Sequence, residues 1–217
     1  RDFDEWPPSS AGSTSLFLVP GDPSTGGQGA GSLSPDEPDG DCRPVQLVFD
    51  PADPVPTLGG ATLFAGSTIG ERAGPADLVP LLSRSDVLTF TSEPFERDRL
   101  LVGPVTWHVP AEATTAGFDL VGLLTDVAPS GRSELLTSGI RRVAEGERGE
   151  EQRVELGSTT ALIRPGHRIR LFVSGSDYPR FDLNPIAVAA GGATISLSSS
   201  AARRSRLVLS FGDLPGS

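Results

Sequence analysis

The sequence has one cysteine, Cys42, two histidines, no methionine and no lysine. A lone cysteine cannot build a disulfide framework, and with two histidines it cannot complete a convincing zinc site. With only His108 and His167 available, a complete Ser-His-Asp set is improbable, since a base needs both a nucleophile and an orienting carboxylate. All 18 basic residues are arginine, which reads as a GC-rich coding bias rather than as function. Aromatic residues make up 6% of the chain, which leaves Trp6, Trp107 and Tyr178 as the only good candidates for a sugar-stacking platform. No apolar run approaches the roughly 18 to 20 residues that cross a bilayer. Cationic surface is also scarce: the net charge is −10, a field that repels both nucleic acid phosphates and anionic lipid. The cluster "RRSR" at 203–206 is too small to outweigh it. The expectation is a soluble chain with no nucleic acid partner and no membrane partner, the cytoplasm being the favoured compartment. The opening "RDFDEWPP" is acidic and aromatic, unlike a secretory signal. With no initiating methionine, the chain is expected to be a fragment of a longer protein or a processed product.

What is abundant is turn chemistry. There are 26 glycines and 20 prolines in 217 residues, and they break up any long helix. Between them lie short apolar runs. "SLFLVP" (15–20), "VQLVFD" (45–50), "DVLTFTS" (86–92) and "RLLVGPVTWHV" (99–109, bent at Gly103-Pro104) read as strands. So do "GFDLVGLLTDV" (117–127), "EQRVELGSTTALI" (151–163), "HRIRLFVSG" (167–175), "ATISLSS" (193–199) and "RLVLSF" (206–211). Strict alternation places Phe118, Leu120, Gly122, Leu124 and Asp126 on one face, and Ile169, Leu171 and Val173 on another. Residues 21–41 are expected to be loop, and 76–83 a short helical turn. "DPADPVPTLGGATLF" (50–64) is too rich in proline to be regular and reads as an ordered excursion presenting Leu63 and Phe64. Many short strands spaced by turn signals argue for an all-β sandwich or barrel, and the length suits one domain over 1–217.

The search for chemistry finds little. No serine has glycine at both minus two and plus two, so there is no nucleophile elbow, and strand–helix alternation is absent. "DEPDGD" (36–41) clusters carboxylates but lacks the spacing of a calcium loop. "GGQGAG" (26–31) fits no phosphate-binding pattern. His167, following Pro165-Gly166, reads as a turn hydrogen bonder, and Asp119 and Asp182 as capping or strand-end partners. No catalytic residue, metal site or cofactor is expected in this chain.

The ordered set of motifs is more specific than any one of them. "DFDEWPP" with "LFLVPG", "FDPADPVPTLGGATLF" (49–64), "RSDVLTFTSEPFERDRLLVGPV" (84–105), "LLTDVAPSGRSELLTSGIRR" (123–142), "RPGHRIRLFVSGSDYPRFDLNP" (164–185) and "RLVLSF" occur in this order over nearly the whole chain. This set resembles the C-terminal, non-catalytic domain of the cocaine esterase and X-prolyl dipeptidyl-peptidase family of serine hydrolases. The resemblance implies an all-β jelly-roll β-sandwich of the galactose-binding-like kind. It implies a parent serine esterase or peptidase that carries its triad in an α/β-hydrolase domain upstream of Arg1, the partner in cis, with no cofactor. A homo-oligomer is compatible with it. It also implies that Leu63 and Phe64 fall where relatives bring apolar side chains toward the acyl pocket. They are the candidates for lining the substrate cleft or the domain interface; burial inside the sandwich is the alternative. The competing function is a free-standing carbohydrate- or protein-binding module. "RPGHRIRLFVSGSDYPRFDLNP" itself reads as architecture: a turn, then a strand whose Arg168 and Arg170 look for carboxylates, then an edge covered by Tyr178 and Phe181.

Overall fold

A computed structural model describes residues 6–8, 11–21, 31–38, 40, 42–61 and 73–212. Eleven strands dominate it: β1 (Gly12–Pro20), β2 (Gly31–Ser34), β3 (Val45–Phe49), β4 (Leu88–Ser92), β5 (Arg99–Ala113), β6 (Phe118–Val127), β7 (Ser133–Val143), β8 (Glu151–Ile163), β9 (Arg168–Ser174), β10 (Ala193–Leu197) and β11 (Arg206–Gly212). The fold is an all-β sandwich.

The hydrogen-bonded path runs β3-β10-β5-β11-β1-β2-β4-β9-β6-β7, with β8 on the other edge of β5. All pairs are antiparallel except β2 with β4. The far end of this path returns to β8. Gly139 of β7 lies so close to β8 that a Cβ there would sit 1.9 Å from the Glu155 carbonyl oxygen. Thr137 donates to the Leu156 carbonyl, and Thr159 donates to that of Leu136 at 3.4 Å. β7 therefore packs on β8 through side-chain-to-backbone contacts, with no backbone ladder between them among the described residues.

Alternation explains the core. Phe118, Leu120 and Leu124 of β6 join Ile169, Leu171 and Val173 of β9 in the main apolar cluster, with Trp107 fully buried among them. The opposite faces of the same strands are buried too. Val121, Leu123 and Phe172 pack under an irregular cover built from Val55, Leu78, Leu81 and Val87. β6 and β9 are thus central strands covered on both sides.

The structure adds to the sequence reading at several points. β2 falls inside the stretch expected to be loop; its "GSLS" pairs through its backbone and buries only Leu33. β7 carries no clean alternation, because a register shift opposite Leu124/Thr125 inserts an extra residue. A short helix, α1 (Pro185–Ala189), is capped by the Asn184 side chain accepting from Ile186 and Ala187. The helical turn expected over 76–83 is a 3-10 turn at Val79–Ser83. β5 passes through Gly103-Pro104 as one strand. Its irregularity appears as Gly103 φ +115° and as register shifts against β8 and β11.

Candidate functional site

Leu63 and Phe64 lie outside the described residues. What the structure does describe is the root of the excursion that carries them. The inbound limb is bolted to residues 176–180. Val55 N–H donates to Ser176 Oγ at 2.9 Å, Tyr178 N–H to the Val55 carbonyl at 2.9 Å, and Thr57 N–H to the Tyr178 carbonyl at 2.8 Å. Arg180 N–H then donates to Thr57 Oγ1 at 3.1 Å. The outbound limb is bolted to β7: Leu135 N–H donates to the Ala76 carbonyl at 2.9 Å, Leu78 N–H to that of Ser133 at 2.8 Å, and Ser133 N–H to Asp77 Oδ1 at 3.0 Å. The two limbs meet where Gly60 and Gly74 exchange hydrogen bonds of 2.7 and 2.9 Å. The crossing needs glycine: at Gly59 a Cβ would lie 2.5 Å from both the Ala76 Cβ and the Gly74 carbonyl oxygen.

So "SDYPR" (176–180) is architecture, but not the edge cover expected. It forms a short backbone ladder with 55–57, and Tyr178 stays 43% exposed. The side chains add a charge pair. Asp177 is buried, and its Oδ2 has no hydrogen-bond partner among the described residues. Arg180 Nη1 stands 3.9 Å from that oxygen, within ion-pair range but beyond hydrogen-bond length. Burial pushes the Asp177 carboxyl above the usual carboxylate range, against a hydrogen bond from Thr57 and the Arg180 charge. Arg180 also donates to Ser138 Oγ of β7 and lies 4.9 Å over the Phe181 ring. Beside it, between the Gly60–Gly74 bridge and strands β7 and β8, opens a cavity of about 530 Å3.

The other candidate groups are placed as structural partners. His167 Nδ1 is 2.8 Å from Asp126 Oδ1, and His108 Nδ1 is 3.1 Å from Glu151 Oε1. Glu151 also takes two bonds from Arg206, which hold its carboxyl below the usual range, with His108 adding to the effect. Among the described residues, neither imidazole is hydrogen-bonded to a serine hydroxyl. Asp119 is buried on β6 and accepts two bonds from Arg142, at 3.0 and 2.9 Å, and one from Asn184 at 2.9 Å, which ties β6 and β7 to the start of α1. Arg168 donates to the Ser92 carbonyl and stands 3.8 Å from Glu93, whereas Arg170 finds the Thr91 hydroxyl at 2.8 Å instead of a carboxylate. Among the described residues, no group of three or more His, Cys, Asp or Glu side chains could hold a metal ion. None of their helices is long and apolar enough to cross a membrane. Trp107 is fully buried, which removes it as a sugar platform.

Residues 1–192 match the family described as the X-Pro dipeptidyl-peptidase C-terminal non-catalytic domain. The chain belongs to this family. It is 32% identical over 195 residues to the cocaine esterase of Rhodococcus sp. (strain MB1 Bresler), spanning 85% of this chain and 33% of that enzyme. Among solved structures it is similar to an α-amino acid ester hydrolase, with a TM-score of 0.74 and 26% identity over 92% of this chain and 36% of that one. An aminopeptidase from a marine sediment archaeon, Thaumarchaeota archaeon, shares the fold: TM-score 0.81, 23% identity, 98% of this chain and 39% of the other. The chain thus spans about a third of the length of the proteins it matches.

The family was legible in the motif order. Sequence reading pointed at Leu63 and Phe64, outside the described residues, and passed over the root of the excursion, Thr57, Ser138, Asp177 and Arg180. The available signal was the Asp-x-x-Arg spacing inside a segment otherwise made of turn formers.

Proposed function

We propose that residues 1–217 form one domain, the accessory C-terminal β-sandwich of an α/β-hydrolase-type serine esterase or peptidase. It stabilises the catalytic domain upstream of Arg1 and helps to shape the substrate cleft. The intact protein would cleave acyl esters or X-Pro peptides. The observation that carries this reading is the match to a non-catalytic C-terminal family over residues 1–192, combined with coverage of only 33% of the cocaine esterase. The root geometry supports the cleft role, because a segment held by seven hydrogen bonds to the sandwich and closed by the Gly60–Gly74 bridge suits a presented loop rather than a slack connection. Leu63 and Phe64 are the residues proposed to reach the cleft or the domain interface.

The first measurement is the coding sequence upstream of Arg1. It should encode a hydrolase with a G-x-S-x-G nucleophile elbow followed by Asp and His; a start codon nearby without a hydrolase in frame overturns the reading. In the intact protein, Phe64→Ala should then change kcat/KM by roughly tenfold for bulky acyl esters and less for acetyl esters, since such discrimination is what an apolar pocket contact supplies. A variant that loses stability while every ester keeps its kinetics would place Phe64 in packing instead.

A further inference from the structure

The cavity at the foot of the excursion has a chemical character of its own. One wall is apolar, with Leu135, Leu136 and Leu156. The polar part of the lining is Ser138, Ser158 and Arg180, and no carboxylate lines it among the described residues. Arg180 is mostly withdrawn from solvent, with its side chain 17% exposed. Among the described residues, its hydrogen bond engages one nitrogen only, Nη1, on Ser138 Oγ. The nearest counter-charge is Asp177, which stands beyond hydrogen-bond length and whose ionised form is disfavoured by burial. The described residues therefore neutralise the cation only in part. Gly60 leaves the room it occupies, since a Cβ there would lie 3.2 Å from Nη1.

We propose that this cavity binds a small carboxylic acid with an apolar body, its carboxylate on Arg180 and its body against the leucines of β7 and β8. A planar guanidinium fork suits a carboxylate, and such charge-assisted bonds are about twice as strong as neutral ones. The volume of about 530 Å3 falls in the range of small-molecule sites, and the apolar wall with a few convergent polar groups is their usual composition. The net charge of −10 does not forbid an anion here. At physiological salt, surface charges farther than about 8 Å are largely screened, whereas the contact with Arg180 is not. This inference does not depend on the hydrolase reading.

The test uses the 217-residue chain, isotope-labelled, titrated with phenylacetate and separately with phenylacetamide while its backbone amide resonances are followed. Phenylacetate should give saturable shifts centred on Gly60, Gly74, Ser138 and Gly157. The uncharged amide should bind at least about tenfold more weakly, and Arg180→Gln should weaken the acid by a similar factor. Equal binding of acid and amide, shifts that do not saturate, or shifts centred elsewhere would each overturn the proposal. The comparison of the two ligands on the unaltered chain keeps the question decidable even if Arg180→Gln fails to fold.

Discussion

Two apolar clusters share the strands β6 and β9, and they are built in opposite ways. The main one is strand against strand: Phe118, Leu120 and Leu124 face Trp107, Val154 and Leu156 across the sandwich. The smaller one is strand against irregular chain: Val121, Leu123 and Phe172 are covered by Val55, Leu78 and Leu81, none of which lies in a strand. The first is held by long strand ladders, interrupted only by local register shifts. The second is held at points, by the 176–180 ladder, the Gly60–Gly74 bridge and an Arg84 clamp that reaches Asp86 at 2.8 Å and the Asp53 carbonyl at 2.7 Å. Regular pairing makes the first cluster the seat of global stability. Point attachment leaves the second the more readily opened of the two.

Truncation at matched burial separates them. Leu124 and Leu78 are both fully buried. Leu124→Ala leaves a cavity between two sheets that cannot close, and we expect a loss of about 3–4 kcal/mol of global stability, read by denaturant unfolding. Leu78→Ala should cost less, roughly 2–3 kcal/mol, because the irregular cover can settle into the space. Its effect should also be local. Amide exchange at Gly60, Gly74 and Leu78 should accelerate while β6 and β9 keep their protection. Equal acceleration throughout would mean that the two clusters open as one unit, and the contrast drawn above would fail.

This contrast also governs what the sequence reveals. β5, β6, β8 and β9 are legible because a period of two with apolar residues on one face is a local signal, and Phe118, Leu120 and Leu124 stand where alternation puts them. That β6 is buried on its second face is invisible to the same test, since Val121 and Leu123 make the run merely apolar throughout. β7 is hidden by its bulge and by the Thr-Ser-Gly stretch at 137–139, where Gly139 leaves room for the close approach of β8. The cover is harder still. Val55 and Thr57 find their partners at 176–180, about 120 positions away, and no local pattern announces such a pairing. Arg180 could be read as a charged turn residue; that it faces a cavity follows only from how the two limbs are attached.

The smallest expected effect probes the charge buried at the attachment of the second cluster. Asp177 is desolvated and its pKa is raised in the folded chain, so the folded state holds its proton at pH values where the unfolded chain has lost it. The stabilising contribution is therefore fully present below the unfolded value of about 3.9 and is lost as pH rises through the folded pKa. Asp177→Asn removes this titration. Relative to the asparagine variant, the wild-type chain should gain stability as pH falls through that window. Carboxylates such as Glu151, with a depressed pKa, lose their contribution on acidification in both chains alike. The difference between the two stability–pH curves isolates Asp177, because every other titrating group appears in both. It should be carried by the exchange rates of Thr57, Gly60 and Arg180 rather than by those of β6. A flat difference curve would mean that Arg180 at 3.9 Å compensates the buried carboxylate fully, and it would then also weaken the case for an under-neutralised cation in the neighbouring cavity.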